Sequence, residues 1–168
     1  DGQLDGSVIS GAISLRGTNQ SDTLIGNDQS NVIFLHADTQ DGAGFGVDTV
    51  SAGGGDDSIR LEQTRYFPQW SQIFSDYDAD TNSYLVSGAI DGGAGNDEFV
   101  VSINERWFHA GGGYSNEVRW GLDLTQLSMS NLENLVFANR YNYGLDHIML
   151  TASQVASLGA IKDAKSLI

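Results

Sequence analysis

The sequence predicts an all-β fold in which short parallel strands are wound into successive coils, and three observations carry that expectation. The stretch Gly92-Gly93-Ala94-Gly95-Asn96-Asp97-Glu98-Phe99-Val100 matches in full the nonapeptide G-G-x-G-x-D-x-U-x, where U is a large apolar residue. Its glycines permit a tight turn, its aspartate offers a hard oxygen ligand, and its last three residues extend into a strand. The pattern recurs in frame upstream. The apolar fraction, 40% of 168 residues, is enough for the core of a single domain.

The upstream copies run in two contiguous pairs. Ala52-Gly53-Gly54-Gly55-Asp56-Asp57-Ser58-Ile59-Arg60 has alanine for the first glycine, and Ala43-Gly44-Phe45-Gly46-Val47-Asp48-Thr49-Val50-Ser51 abuts it. Further back, Gly17-Thr18-Asn19-Gln20-Ser21-Asp22-Thr23-Leu24-Ile25 and Gly26-Asn27-Asp28-Gln29-Ser30-Asn31-Val32-Ile33-Phe34 also touch, each with Gln at the middle glycine. Turn signals alone do not hold a nine-residue frame through five units.

Five units that share glycine, acid and apolar slots resemble the RTX family of calcium-binding repeat proteins, secreted by bacteria and folded as a parallel β-roll. The resemblance covers residues 17–103. It implies that successive turns alternate between two faces, and that each structural Ca2+ lies between two turns of one face. The ligands it implies are the side chains of Asp22, Asn31, Asp48, Asp57 and Asp97 and the carbonyls at Gly53, Gly55, Gly93 and Gly95. Counting along the frame, turns 26 and 43 are 17 residues apart, close to one coil, which pairs Asn31 with Asp48. Turns 52 and 92 are 40 apart, one coil of 18 plus an insertion of 22, which pairs Asp57 with Asp97.

The remaining segments take their expected roles in order. Residues 1–16 alternate polar and apolar through Val8, Ile9, Ile13 and Leu15, as one or two lead-in strands would. The insertion 63–84 is expected to bulge from the face of turn 43–48; it holds Arg65, Tyr66 and Trp70, and then Asp76, Asp78 and Asp80 at the alternate spacing with which a loop wraps one calcium. Thr81 stands where an EF-hand needs glycine and Ser87 where it needs glutamate, so the expectation is a calcium loop and not an EF-hand. A second loop, 104–121, with Arg106, Trp107, Tyr114 and Trp120, is expected beside it. Residues 122–168 resemble the metal-free strands that follow the repeats in large RTX adhesins, with a capping box at Thr151 and Gln154 opening a short helix that covers the end of the roll.

Charge and composition narrow the partners. Twenty-two acids against eight bases give a net charge of −14, which excludes nucleic acid and polyanions and favours cations. No apolar run approaches the about 18 residues of a membrane span, so no membrane insertion is expected. Catalysis finds no support: there is no G-x-S-x-G element, and His36, His109 and His147 are isolated. The chain opens at Asp1 and reads as a monomeric piece of a longer exported, extracellular protein, flanked by neighbouring domains.

The three tryptophans all fall in the two loops, and Trp, Tyr and Arg on loops of a rigid scaffold are recognition residues. The expected function is that of a calcium-dependent binding module resembling the peptide-binding domains of RTX adhesins, which attach to host or other cell surfaces. The ligand would be a surface peptide or protein held through a carboxylate on calcium. A ligand-free folding and secretion cap and a neutral-glycan module are the alternatives.

Overall fold

The computed structural model describes residues 2–18, 20–35, 46–67, 77–78, 80, 83–107, 120–138 and 145–162. The chain forms two facing sheets. The first contains β1 (Gly2–Asp5), β3 (Asp22–Asn27), β5 (Val47–Gly53), β8 (Ser83–Asp91), β10 (Trp120–Ser130) and β12 (Leu145–Met149) in that order. The second contains β2 (Ser14–Arg16), β4 (Val32–Phe34), β6 (Ser58–Phe67), β9 (Glu98–Trp107), β11 (Asn134–Phe137) and β13 (Ala160–Lys162). These pairs are all parallel. Apart from β7 (Tyr77–Asp78), a short strand that pairs antiparallel with β8, the chain alternates between the two sheets, so every two strands complete one coil, and the fold is the all-β parallel β-roll that the repeats predict.

The apolar U slot explains the stacking. Leu24, Ile33, Val50, Ile59 and Phe99 are all buried, and the strand register lines them up. In the second sheet Leu15, Ile33, Ile59, Phe99, Leu135 and Ile161 are successive partners; in the first, Leu4, Leu24, Val50, Ile90 and Met129 are. A slip of one residue would turn a whole strand's apolar set outward. Each buried side chain of this size contributes on the order of 1.5–3 kcal/mol, so the ladder fixes register as well as stability.

Two expectations about the path need correction. Asn31 and Asp48 do not share a face: β4 follows Asn31 in the second sheet, whereas Asp48 lies on β5 in the first. Because β3 pairs directly with β5, the span from β4 to β5 counts as one connection between the sheets, and the coil spans 26 residues where two nonapeptides give 18. The segments expected to leave the roll at 63 and 104 also stay paired longer. β6 and β9 remain in register through Arg65↔Glu105, Tyr66↔Arg106 and Phe67↔Trp107. Aromatic and threonine residues favour a pleated surface, which accounts for the extension.

At the C-terminal end β12 pairs only with residues Trp120–Asp123 of β10. The rest of β10, bulged between Asp123 and Gln126 against β8, has no strand on that side among the described residues. Helix α1 (Ala152–Ser157) meets this edge through one side chain. Gln154 Nε2 donates to the Leu124 and Leu127 carbonyls, both at 2.7 Å, while Gln154 Oε1 accepts from the Thr151 N–H at 2.6 Å. Thr151 Oγ1 in turn accepts from the Gln154 N–H, completing the capping box. After the helix, β13 adds to β11 in parallel.

Gln154→Ala is expected to cost about 2 kcal/mol, because it strips two buried carbonyls and the cap at once. Ser153→Ala, on the exposed side, should stay within about 0.5 kcal/mol. Urea denaturation of the two variants measures the difference; equal losses would mean that α1 is not anchored through Gln154.

Candidate calcium sites

The two sheets are joined along two columns of turns. Connections from the first sheet to the second are mostly tight: residues 28–31, 54–57, 92–97 and 131–133 each pass between strands there. Glycine is required where these turns stack. Gly93 has φ +92°, and a side chain on it would strike the Gly53 carbonyl of the turn below, which itself accepts from the Ala94 N–H at 2.9 Å.

The sixth slot of each tight turn forms a chain of hydrogen bonds. Asn31 N–H donates to Asp57 Oδ1 at 2.6 Å, Asp57 N–H to Asp97 Oδ1 at 2.7 Å, and Asp97 N–H to Glu133 Oε2 at 2.7 Å. Asp57 is 1% exposed and Asp97 not at all, yet the second oxygen of each, Oδ2, has no hydrogen-bond partner. An ionised carboxylate oxygen buried this way is costly unless a cation neutralises it. At Gly92 a methyl group would run into the Asn131 carbonyl oxygen and come within 2.9 Å of Asp97 Oδ2, so two acceptor oxygens border that one position.

The opposite column carries a shorter version. Asp22 N–H donates to Asp48 Oδ1 at 2.9 Å, so these two share a face, 26 residues apart, in place of the Asn31 and Asp48 pairing. Asp22 Oδ2 is already satisfied by the Thr18 N–H and hydroxyl, at 2.6 and 2.7 Å. Asp48 borders a small cavity whose lining includes Leu35, Leu61, Val86 and Ile90 and also Ser87.

Burial dominates the protonation of these groups. It pushes the Asp48 carboxyl from 3.8 up to about 7 against the Asp22 N–H, which pulls the other way. Asp57 is raised by burial, opposed by the Asn31 N–H and reinforced by the charge of Asp97. Asp97 is raised by burial, opposed by the Asp57 N–H and reinforced by Glu133, Asp56 and Asp91. Among the described residues no three acidic or imidazole side chains converge. An ion here is therefore held by single carboxylates with backbone carbonyls from adjacent turns, a hard, all-oxygen donor set that suits calcium and not zinc.

The other predicted residues divide. Gly53, Gly55, Gly93 and Gly95 all lie in the tight turns beside Asp57 and Asp97, each at positive φ. Asp78 lies on β7 (Tyr77–Asp78), antiparallel to the start of β8, and Asp80 is exposed in the turn between them. Arg65 and Tyr66 lie on β6, Arg106 and Trp107 on β9, and Trp120 opens β10. Asp76, Trp70 and Tyr114 lie outside the described residues. Glu133 was missed by sequence reading, although it stands two residues before buried Leu135, the spacing of Asp57 to Ile59 and Asp97 to Phe99.

A parallel roll whose turns repeat a buried carboxylate with an unpaired oxygen is a calcium-binding roll. Comparison with known proteins agrees: the model of the RTX calcium-binding nonapeptide repeat matches in four copies, over residues 14–39, 43–62 and 89–100. The chain thus carries, within its β-roll, repeats of the RTX calcium-binding nonapeptide type, which occur in secreted proteins. No curated protein and no solved structure matches the chain. No helix among the described residues is long and apolar enough to cross a membrane.

Bound calcium would supply positive charge to Asp57 and Asp97. In its absence, a carboxyl whose pKa is raised by folding contributes stability below its unfolded value, and that contribution is lost as pH rises through the folded value. For Asp48 the window runs from about 4 to about 7. Protein stripped of metal should accordingly melt higher at pH 5 than at pH 8, by about 5 °C or more. With calcium present the trend should reverse, because the ion requires ionised carboxylates. Differential scanning calorimetry at both pH values reads it, and a metal-free melting temperature independent of pH would contradict the burial argument. Asp97→Ala should also cost more calcium-dependent stabilisation than Asp22→Ala, since only Asp97 presents a buried oxygen with no protein donor.

Proposed function

We propose that the chain is a calcium-dependent ligand-binding module of a secreted bacterial adhesin, taking a peptide or protein ligand on the side opposite its tight turns. The observation that supports this most is the division between the two turn columns. β4, β6, β9 and β11 of the second sheet all end along one column, where the first-sheet strands that follow them begin, so residues 35–46, 68–82, 108–119 and 138–144 start and finish on that column while Asp57 and Asp97 occupy the other. Long connections on a rigid scaffold are where recognition residues gather, and the sequence concentrates Trp70, Trp107, Tyr114 and Trp120 in or beside these segments.

A protein of net charge −14 attracts an anionic group only where a cation or arginine reverses the local field. Asp76, Asp78 and Asp80 form the candidate loop for such a cation, and a peptide's terminal carboxylate is the group it would take. Arg65 or Arg106 would pair a second acidic group, and the aromatic residues would bury apolar parts of the ligand.

The test uses a library of peptides with free C-terminal carboxylates and the same peptides amidated, read by tryptophan fluorescence. Binding is expected to require calcium and the free carboxylate. Asp78→Ala combined with Asp80→Ala should weaken binding at least about tenfold, or about 1.4 kcal/mol, and leave the calcium-bound melting temperature unchanged. If the double variant binds a verified peptide normally, the ion is not part of recognition; if only neutral sugars bind, the glycan reading replaces this one.

A further inference from the structure

The first tight turn solves by hydrogen bonding the problem that the next two leave to a cation. Gly26 and Gly92 open their turns in the same slot, and each is bordered by a carbonyl oxygen of the next turn and by the tip of its own turn's sixth side chain. A methyl group on Gly26 would run into the Ala52 carbonyl oxygen and come within 2.9 Å of Asn31 Nδ2. At Gly92 the same two positions hold the Asn131 carbonyl oxygen and Asp97 Oδ2. An amide nitrogen thus stands where the later turn has an unpaired carboxylate oxygen.

The amide uses that place fully. Asn31 Nδ2 donates to the Asn27 carbonyl at 3.1 Å and to the Ala52 carbonyl at 3.2 Å, one on its own turn and one on the next. Asn31 Oδ1 accepts from the Ile13 N–H at 3.3 Å. The partners fix the orientation, since a flipped amide would set Nδ2 against an N–H and Oδ1 against two carbonyls. Asn31 is 1% exposed and leaves no buried side-chain atom unsatisfied, in contrast to Asp57 and Asp97. On the opposite column of the same coil, Thr18 satisfies Asp22 Oδ2 in a comparable way.

We infer that the Asn31 carboxamide replaces a calcium ion, closing the junction between turns 26–31 and 52–57 without metal, so that the ion-requiring part of the tight column begins at Asp57. Residue choice in the sixth slot then sets the number of ions on that column, and the first coil is a metal-independent start for the roll. The inference rests on the calcium reading of Asp57 and Asp97.

The experiment exchanges the two solutions and counts ions by isothermal titration calorimetry on the full chain, with melting curves before and after calcium is stripped. Asn31→Asp should bind one ion more than the wild type, melt lower when metal-free and recover on adding calcium. Asp97→Asn, which transplants the amide, should bind one ion fewer and melt higher than the wild type when metal-free. Because Asn31→Asp can fail to fold without calcium, Asp97→Asn and Asn31→Ala keep the test decisive. Asn31→Ala should leave the ion count unchanged and lower the metal-free melting temperature. A lost ion in Asn31→Ala would make Asn31 a ligand and overturn the inference, as would an unchanged ion count in both exchange variants. A wild type that binds no calcium would overturn the calcium reading itself, and the inference with it.

Discussion

The structure depends on one repeated bond, the backbone N–H of the sixth residue of a tight turn donating to the side-chain oxygen in the same slot of the next turn. It runs from Asn31 to Asp57, to Asp97 and to Glu133. The bond satisfies a buried donor and at the same time spends only one oxygen of each aspartate. The other oxygen of Asp57 and of Asp97 is buried and has no protein donor. Metal binding is thus a consequence of how the coils are registered, and the U-slot ladder from Leu15 to Ile161 and the carboxylate ladder enforce the same register from two sides.

The ladder also explains how a strongly acidic chain stacks its acids. Burial and like charges both disfavour ionised Asp57 and Asp97, so the metal-free roll stores an electrostatic cost in its own turns. Asn31 and Thr18 relieve that cost locally with neutral donors, whereas Asp57 and Asp97 retain it until a cation arrives. In a solenoid, where each coil contacts only its neighbours, the distribution of such residues decides which coils are conditional on the environment.

Much of this was legible in the sequence, because the nonapeptide couples an acid and an apolar residue at a fixed spacing of two. Counting coils in that frame paired Asp57 with Asp97, and the U slot of the five units holds Leu24, Ile33, Val50, Ile59 and Phe99, all of which are buried. What could not be read was the meaning of the residues after Leu35. Their number is close to nine, and counting cannot separate an additional turn from a longer connection; only the pairing of β3 with β5 decides. Glu133 escaped for a different reason: its turn, residues 131–133, lacks the glycines that advertise the motif, and a longer carboxylate reaches the same N–H. The continuation of β6 and β9 to Phe67 and Trp107 was hidden by aromatic residues that suggested loops, although their β propensity pointed the other way.

The 26- and 40-residue spacings between equivalent slots of the tight column bear on how such a molecule changes over time. Most of the length that separates those slots falls in the other column of connections, and the aspartate chain keeps its hydrogen bonds at either spacing. Loop-closure entropy grows only slowly with length, so lengthening these connections costs little. The roll therefore separates inheritance into two tracks: a flank where almost any segment can be spliced in and tried, and a flank where a single altered side chain changes the ion count. Such a division makes the scaffold a natural display frame, able to acquire new specificities without renegotiating the chemistry that holds it together.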